Sequence, residues 1–229
     1  MAITTRSANA TLVLLILLAL AATPAQASLF QLAATGTISF GGSATIPNGT
    51  PWAFEVTYDT AAPDLAPADT TFGQFGNTTA PPALTAFHYQ AGSYEVTLDD
   101  PSDFGTGGAI DITFTAVHAI DINIFAPALF PPLSGGAVSF HADFNDFSSD
   151  PIFVSDALPT NTALGPGNFD MSTVNLNLQG PPTGAVGGTS VTSLTVTAVP
   201  EPSTAALVVV GLLVLPVVAR RAARPPAHS

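Results

Sequence analysis

Along residues 52–58 apolar and polar side chains alternate: Trp52, Phe54, Val56 and Tyr58 share one parity, and Ala53, Glu55 and Thr57 the other. A period of two puts one set on each face of an extended chain, so the segment predicts a half-buried β-strand. The same period recurs at Tyr94, Val96 and Leu98, at Ile110, Ile112 and Phe114, and at Ile120, Ile122 and Ile124. It returns at Val138, Phe140, Ala142 and Phe144, at Val174, Leu176 and Leu178, and at Leu194, Val196 and Ala198. Weaker patterns cover 35–40, 84–90 and 152–155, for nine or ten short strands in all.

Between these runs lie clusters such as "GGSATIPNGTP", "TAAPDLAPADTT", "PSDFGTGG" and "GPPTGAVGGT", whose Gly, Pro, Asn, Asp and Ser favour turns and break helices. Strands with one apolar face are satisfied by two antiparallel sheets packed face to face. The expected fold is therefore all-β, an antiparallel β-sandwich of jelly-roll or immunoglobulin-like type. Its edges should be guarded by negative charge and proline, because the body has no lysine to do it. Residues 146–168 alternate poorly and read as either a loop or a covering flap.

The two ends depart from this pattern. Residues 1–27 carry Arg6, an apolar run over 11–22 and the small-residue pattern Ala25-Gln26-Ala27, as a secretory signal peptide cut after Ala27 does. At the other end, residues 205–219 read "AALVVVGLLVLPVVA". As a helix these would rise about 22 Å, short of a bilayer core of about 30 Å. Their ten Leu and Val residues nonetheless favour insertion by on the order of 3 to 6 kcal/mol, and a single transmembrane helix is expected over 204–219. Arg220, Arg221 and Arg224 follow, which orients the tail to the cytoplasm and the body outside. Pro200 and Pro202 bracket Glu201 and hold that stretch extended, in a form a processing enzyme can grip. The chain thus divides into a signal peptide (1–27), a sandwich ectodomain (28–198) and a terminal device (199–229).

"VPEPST", a short apolar helix and a closing arginine cluster, in that order, resemble the PEP-CTERM sorting signal of exported proteins in certain Gram-negative bacteria. The motif falls on Val199, Pro200, Glu201 and Pro202, with Pro216 inside the helix and "PPAHS" after the arginines as departures. More loosely, "FEVTYDTAAPDL" and "LTAFHYQAGSYEVTLDD" are similar to runs in the β-rich bodies of such proteins. The resemblance implies an exosortase substrate: a membrane-anchored precursor with signal peptidase and exosortase as processing partners. It also implies a final place at the cell surface or in extracellular polysaccharide material, in a non-enzymatic structural or interaction role. A GPI-type anchor fits less well, because such signals want a longer polar spacer and lack the closing arginines; an ordinary single-span protein is the nearer rival.

Charge narrows the function of the middle. Every basic residue lies at the ends, so the body carries fifteen acidic residues and no Lys or Arg, a formal charge of −15 with histidine neutral. Binding a nucleic-acid backbone or a phosphorylated substrate needs the cations that are missing. Side-chain ion pairs are open only to histidine, and with no cysteine there are no disulfides, so stability must come from the core.

No nucleophile elbow, zinc-protease motif or phosphate loop occurs in the body, and no catalytic residues are assigned. His88, His118 and His141 fall in different strands and read as polar-face residues. Glu55 and Glu95 form no distinctive carboxylate pair, and a secreted hydrolase is the weakest alternative. No cofactor is expected, with calcium as the one candidate: Asp143, Asn145, Asp146 and Asp150 lie close in sequence, as do Asp99, Asp100 and Asp103. With Trp52 as the sole tryptophan, these motivate the alternative of a calcium-assisted carbohydrate-binding module. Asn48 and Asn77 stand in glycosylation-type triplets, a pattern common by chance.

Overall fold

The computed structural model describes residues 29–199, apart from 106, 115–116, 127, 134–136, 149–151, 154 and 180–183. Among the described residues, eleven strands form two antiparallel sheets. One holds β1 (Leu29–Thr37), β2 (Pro51–Asp59), β4 (Leu84–Ala91), β5 (Tyr94–Leu98) and β11 (Ser190–Ala198), in the order β11-β1-β2-β4-β5. The other holds β3 (Phe72–Gly76), β6 (Gly108–Phe114), β7 (His118–Ile124), β8 (Ala137–Asp146), β9 (Met171–Gln179) and β10 (Gly184–Gly188), in the order β10-β9-β8-β7-β6-β3.

The alternation in the sequence becomes the division between core and surface. In β2, Trp52, Phe54, Val56 and Tyr58 are buried; in β5, Tyr94, Val96 and Leu98 are buried while Glu95 and Thr97 are exposed. Aromatic rings tie the two sheets together. Phe140 of β8 meets Phe54 of β2 at 5.0 Å and Phe87 and Tyr89 of β4 at 4.7 and 5.6 Å between ring centroids. The two sheets are therefore packed face to face around one aromatic core, as two layers with one apolar face each require.

Four segments differ from their sequence reading. β1 begins at Leu29 rather than Thr35, and its first residues pair with both β2 and β11. β10, "GAVGG", is a strand within a cluster that reads as a turn, and β3, "FGQFG", is a strand where the sequence shows no strand pattern. Gly187 shows why glycine is used there: a Cβ would lie 2.3 Å from the Val174 carbonyl oxygen and 2.5 Å from the Asn175 Cβ, so the close approach of β10 to β9 needs its absence. The fourth segment, 152–155, forms no strand in its described residues. Its Phe153 is buried, as are Leu158, Leu164 and Phe169 further along, and the Tyr58 hydroxyl donates to the Pro159 carbonyl oxygen. Of the two sequence readings, the described part of this connection acts as a flap that plugs the core with isolated apolar side chains.

Candidate functional site

The clearest concentration of ionisable groups lies on the outer face of the six-stranded sheet. Ile110, Ile112, Ile120, Ile122, Phe140 and Ala142 point into the core, so the intervening residues of β6, β7 and β8 point outward. Strand register then decides which polar residues meet. Gln74, Asp111, Asp121, Asp143 and Thr173 are successive partners across β3, β6, β7, β8 and β9. Asn123, His141 and Asn175 form the neighbouring row. Three aspartates thus stand side by side on adjacent strands, which lie about 4.8 Å apart, although like charges directly opposite one another are unfavourable.

His141 is the counterion of this face. Its Nε2 lies 3.2 Å from Asp121 Oδ1, and the same oxygen accepts from Asn123 Nδ2 at 2.7 Å. Asn175, only 7% exposed, places Nδ2 at 3.4 Å from His141 Nδ1. The bond to Asp121 raises the His141 pKa above its ordinary value, against partial burial, with the charges of Asp121 and Asp143 adding to the rise. Partial burial raises the carboxyl of Asp111; its bond to Gln74 opposes this and the charge of Asp121 assists it.

Both shifts have the same sign in stability. A group that holds its proton more tightly when folded stabilises the fold below its unfolded pKa and loses that contribution as pH rises through the folded value. For His141 the loss starts near 6.5, its unperturbed value, and for Asp111 it starts near 3.8. Asp69 and Asp100 run the opposite way. Bonds from Thr71 and Ser102 lower their pKa values, so their contributions are lost as pH falls through the lowered folded values, below 3.8. The thermal midpoint should therefore be higher at about pH 5.5 than at about pH 8. Asp121→Asn should flatten the part of this slope above about pH 6, by roughly 1 kcal/mol or less once solvent screening is counted. An unchanged slope in that variant would remove His141 as its cause.

The calcium candidates do not converge. Strand alternation puts Asp143 and Asn145 on the outer face of β8 and turns Asp146 to the opposite, buried side. There Asp146 Oδ1 accepts from Ser148 N–H at 2.8 Å, and the hydrogen bonds from the Ser148 side chain and then its backbone lower the Asp146 pKa. Asp150 lies outside the described residues. In the second cluster, Asp100 Oδ1 accepts from Ser102 N–H at 2.8 Å and Asp103 Oδ2 accepts from Asp100 N–H at 3.3 Å. These carboxylates cap the short 3-10 turn Pro101–Phe104. Among the described residues, no three of His, Asp and Glu are grouped to hold a metal ion.

Trp52 is 2% exposed and lies in the core beside Phe54, at 6.2 Å between ring centroids. It offers no surface for a sugar to stack on. His118 corrects another expectation: it is buried and stacks on Phe153, whereas His88 is on a polar face, 3.2 Å from Glu95. Asn77 braces backbone, donating to the carbonyl oxygens of Leu84 and Pro101 and accepting from Leu84 N–H. Asn48 accepts from Gly42 N–H. Glu55 accepts from Gln31 Nε2 at 3.0 Å.

A shallow pocket of about 390 Å³ opens between Phe104, Gly107, Phe125 and Leu129, and its one carboxylate, Asp103, is the capping residue just described. Of the sorting residues, Val199 is described and donates its N–H to the Leu29 carbonyl oxygen at 2.9 Å. Ala25, Ala27, Pro200, Glu201, Pro202, the helix of 204–219, Arg220, Arg221 and Arg224 lie outside the described residues. No helix among the described residues is long and apolar enough to cross a membrane. No protein-family model, curated protein or solved structure matches the chain.

Proposed function

We propose that this chain is an exported, non-enzymatic surface or matrix protein. In this reading signal peptidase cuts after Ala27, the helix of 204–219 holds the precursor in the membrane, and an exosortase then acts at Pro200-Glu201-Pro202. The observation that carries the proposal is the bond from Val199 N–H to the Leu29 carbonyl oxygen. The outermost rung of the β1–β11 ladder joins Leu29, two residues after the first cut, to Val199, the first residue of the sorting motif and the one just before Pro200-Glu201-Pro202. Both processing segments can then leave without removing a strand or a core residue. The absence of Lys and Arg from the body supports a role beside neutral or cation-bridged polysaccharide rather than phosphate-bearing partners.

On the finer fold subtype, β11 returns to lie beside β1, outside the run β1-β2-β4-β5. This is the Greek-key feature common to jelly-roll and immunoglobulin-like sandwiches, and it supports that assignment for the five-stranded sheet.

The experiment follows the mass of the carboxyl terminus in the native host. The wild-type chain should be recovered without its hydrophobic tail. A chain carrying Pro200→Ala, Glu201→Gln and Pro202→Ala should stay in the membrane fraction at the mass of the tailed form. Wild-type protein that keeps its tail in every copy would overturn the proposal.

A further inference from the structure

Five large apolar side chains are exposed among the described residues, and two of them, Phe125 at 45% and Leu129 at 46%, line the pocket of about 390 Å³. Single exposed apolar residues are ordinary on a protein surface, whereas two at one concavity mark a surface made for contact. The volume falls in the range of about 300 to 1,000 Å³ typical of small-molecule sites. Phe104, 1% exposed, is its floor.

The walls are held in place by the backbone. On one side the 3-10 turn Pro101–Phe104 is capped by Asp100, and Gly107 N–H donates to the Phe104 carbonyl oxygen at 3.0 Å. On the other, Leu129 and Phe130 N–H both donate to the Ala126 carbonyl oxygen, and buried Phe130 stacks on Phe87 at 6.2 Å between ring centroids. Phe125 N–H donates to the Gly107 carbonyl oxygen at 2.8 Å and joins the two sides. They pass so closely that a Cβ at Gly107 would lie 2.2 Å from the Phe125 carbonyl oxygen. A site fixed in this way loses little freedom when a ligand enters.

Its polar groups limit what fits. Asp103 Oδ2 accepts from Asp100 N–H at 3.3 Å, which leaves Oδ1 as an acceptor for a ligand. The Ser102 hydroxyl bonds to Asp100 and keeps a lone pair to accept with. An exposed aromatic ring beside such acceptors complements a molecule with a carbon–hydrogen face edged by hydroxyl donors, which is the make-up of a sugar ring. Fifteen acidic residues with no Lys or Arg in the body oppose an anionic ligand. One exposed ring and one carboxylate are too little for the aromatic cage that selects an organic cation.

We propose that this pocket binds a neutral sugar unit of a polysaccharide chain, with the Phe125 ring against the carbon–hydrogen face and Asp103 accepting from the hydroxyls. Because the pocket is shallow, it takes one face of the unit and leaves the linkages to its neighbours free. Sugar binding here rests on the reading of the body as a companion of neutral polysaccharide, and it gives that contact a location.

The test is affinity electrophoresis of the chain as recovered from its native host. The gels hold a soluble β-glucan, a galactomannan or the host's own neutral extracellular polysaccharide, with alginate as the anionic control and chitosan as the cationic one. Retardation by at least one neutral polymer and none by alginate is expected. Phe125→Ala should weaken that binding about tenfold with an unchanged thermal midpoint, and Phe125→Trp should restore it. Leu129→Ser, on the opposite wall, should also weaken it, and serves where the first variant folds poorly. Phe147→Ala removes a ring that is 54% exposed and lies outside the pocket, and should bind as the wild type does. Retardation that survives both pocket variants would overturn the site and leave the polysaccharide reading standing. Retardation by chitosan alone, or by no neutral polymer, would overturn the site and the polysaccharide reading together, while the sorting reading still rests on the mass of the tail.

Discussion

Phe140→Ala is expected to destabilise the fold by about 3 to 5 kcal/mol, the range for removing a buried aromatic from a packed core. Phe140 is 1% exposed and comes from the middle of the six-stranded sheet, while its three ring partners, Phe54, Phe87 and Tyr89, belong to the other sheet. Truncation leaves a cavity at the seam between layers, where two sheets held by their own ladders cannot collapse to fill it. With no disulfide and no Lys or Arg in the body, no cross-link or strong ion pair makes up the loss. Urea unfolding followed by far-ultraviolet circular dichroism checks it, and a thermal midpoint lowered by on the order of 10 °C is expected. A change of less than about 1 kcal/mol would show that the sheets are not joined through this ring.

Gly36→Ala should be nearly as damaging, although it adds one methyl group. A Cβ at Gly36 would lie 2.2 Å from the Ser190 carbonyl oxygen, 2.4 Å from Trp52 Cζ2 and 2.7 Å from Trp52 Cε2. Gly188 faces the same ring, with its would-be Cβ 3.0 Å from Trp52 Nε1 and 2.0 Å from the Thr37 carbonyl oxygen. The indole therefore lies in a notch made by two glycines, beside the point where the β1–β11 register shifts between Thr35 and Gly36. Backbone oxygen cannot give way as a side-chain tip can, so either the indole or β11 must move. A cost of about 2 to 3 kcal/mol is expected. Trp52 is the sole tryptophan and reports its own displacement: emission of the folded variant should shift to longer wavelength. Wild-type emission together with wild-type stability would refute the notch.

Much of the strand pattern was legible because a period of two needs only the residues themselves. β2, β5 and β7 to β9 were read with the correct inward face, and the edge residues of β4 and β6 differ by only one or two positions. β3 and β10 were missed because their glycines serve close approach of backbone, Gly187 to β9 and Gly73 to the Asp156 carbonyl oxygen, and close approach is a property of two segments, not one. The strand read at 152–155 failed for a related reason. Its apolar residues cover the open end of a core that exists only after the sheets have packed.

Sites were less legible. Closeness in sequence grouped Asp143, Asn145 and Asp146, but in a strand each step of one residue reverses the side chain's direction. The grouping that did form, Asp111, Asp121 and Asp143 with His141, draws on three strands and depends on register. The signal that could have pointed to it is the lone charged outward residue at the centre of β6 and of β7.

By itself the sequence determined the class of fold, the inward face of most strands, a body without fixed positive charge, and reliance on a core without cross-links. Each of these is local or additive, a matter of period or of counting. Tertiary structure alone decided which carboxylates face one another and that the single tryptophan is buried between glycines. Those depend on register and strand order, which arise when distant segments pair and cannot be read from any one of them.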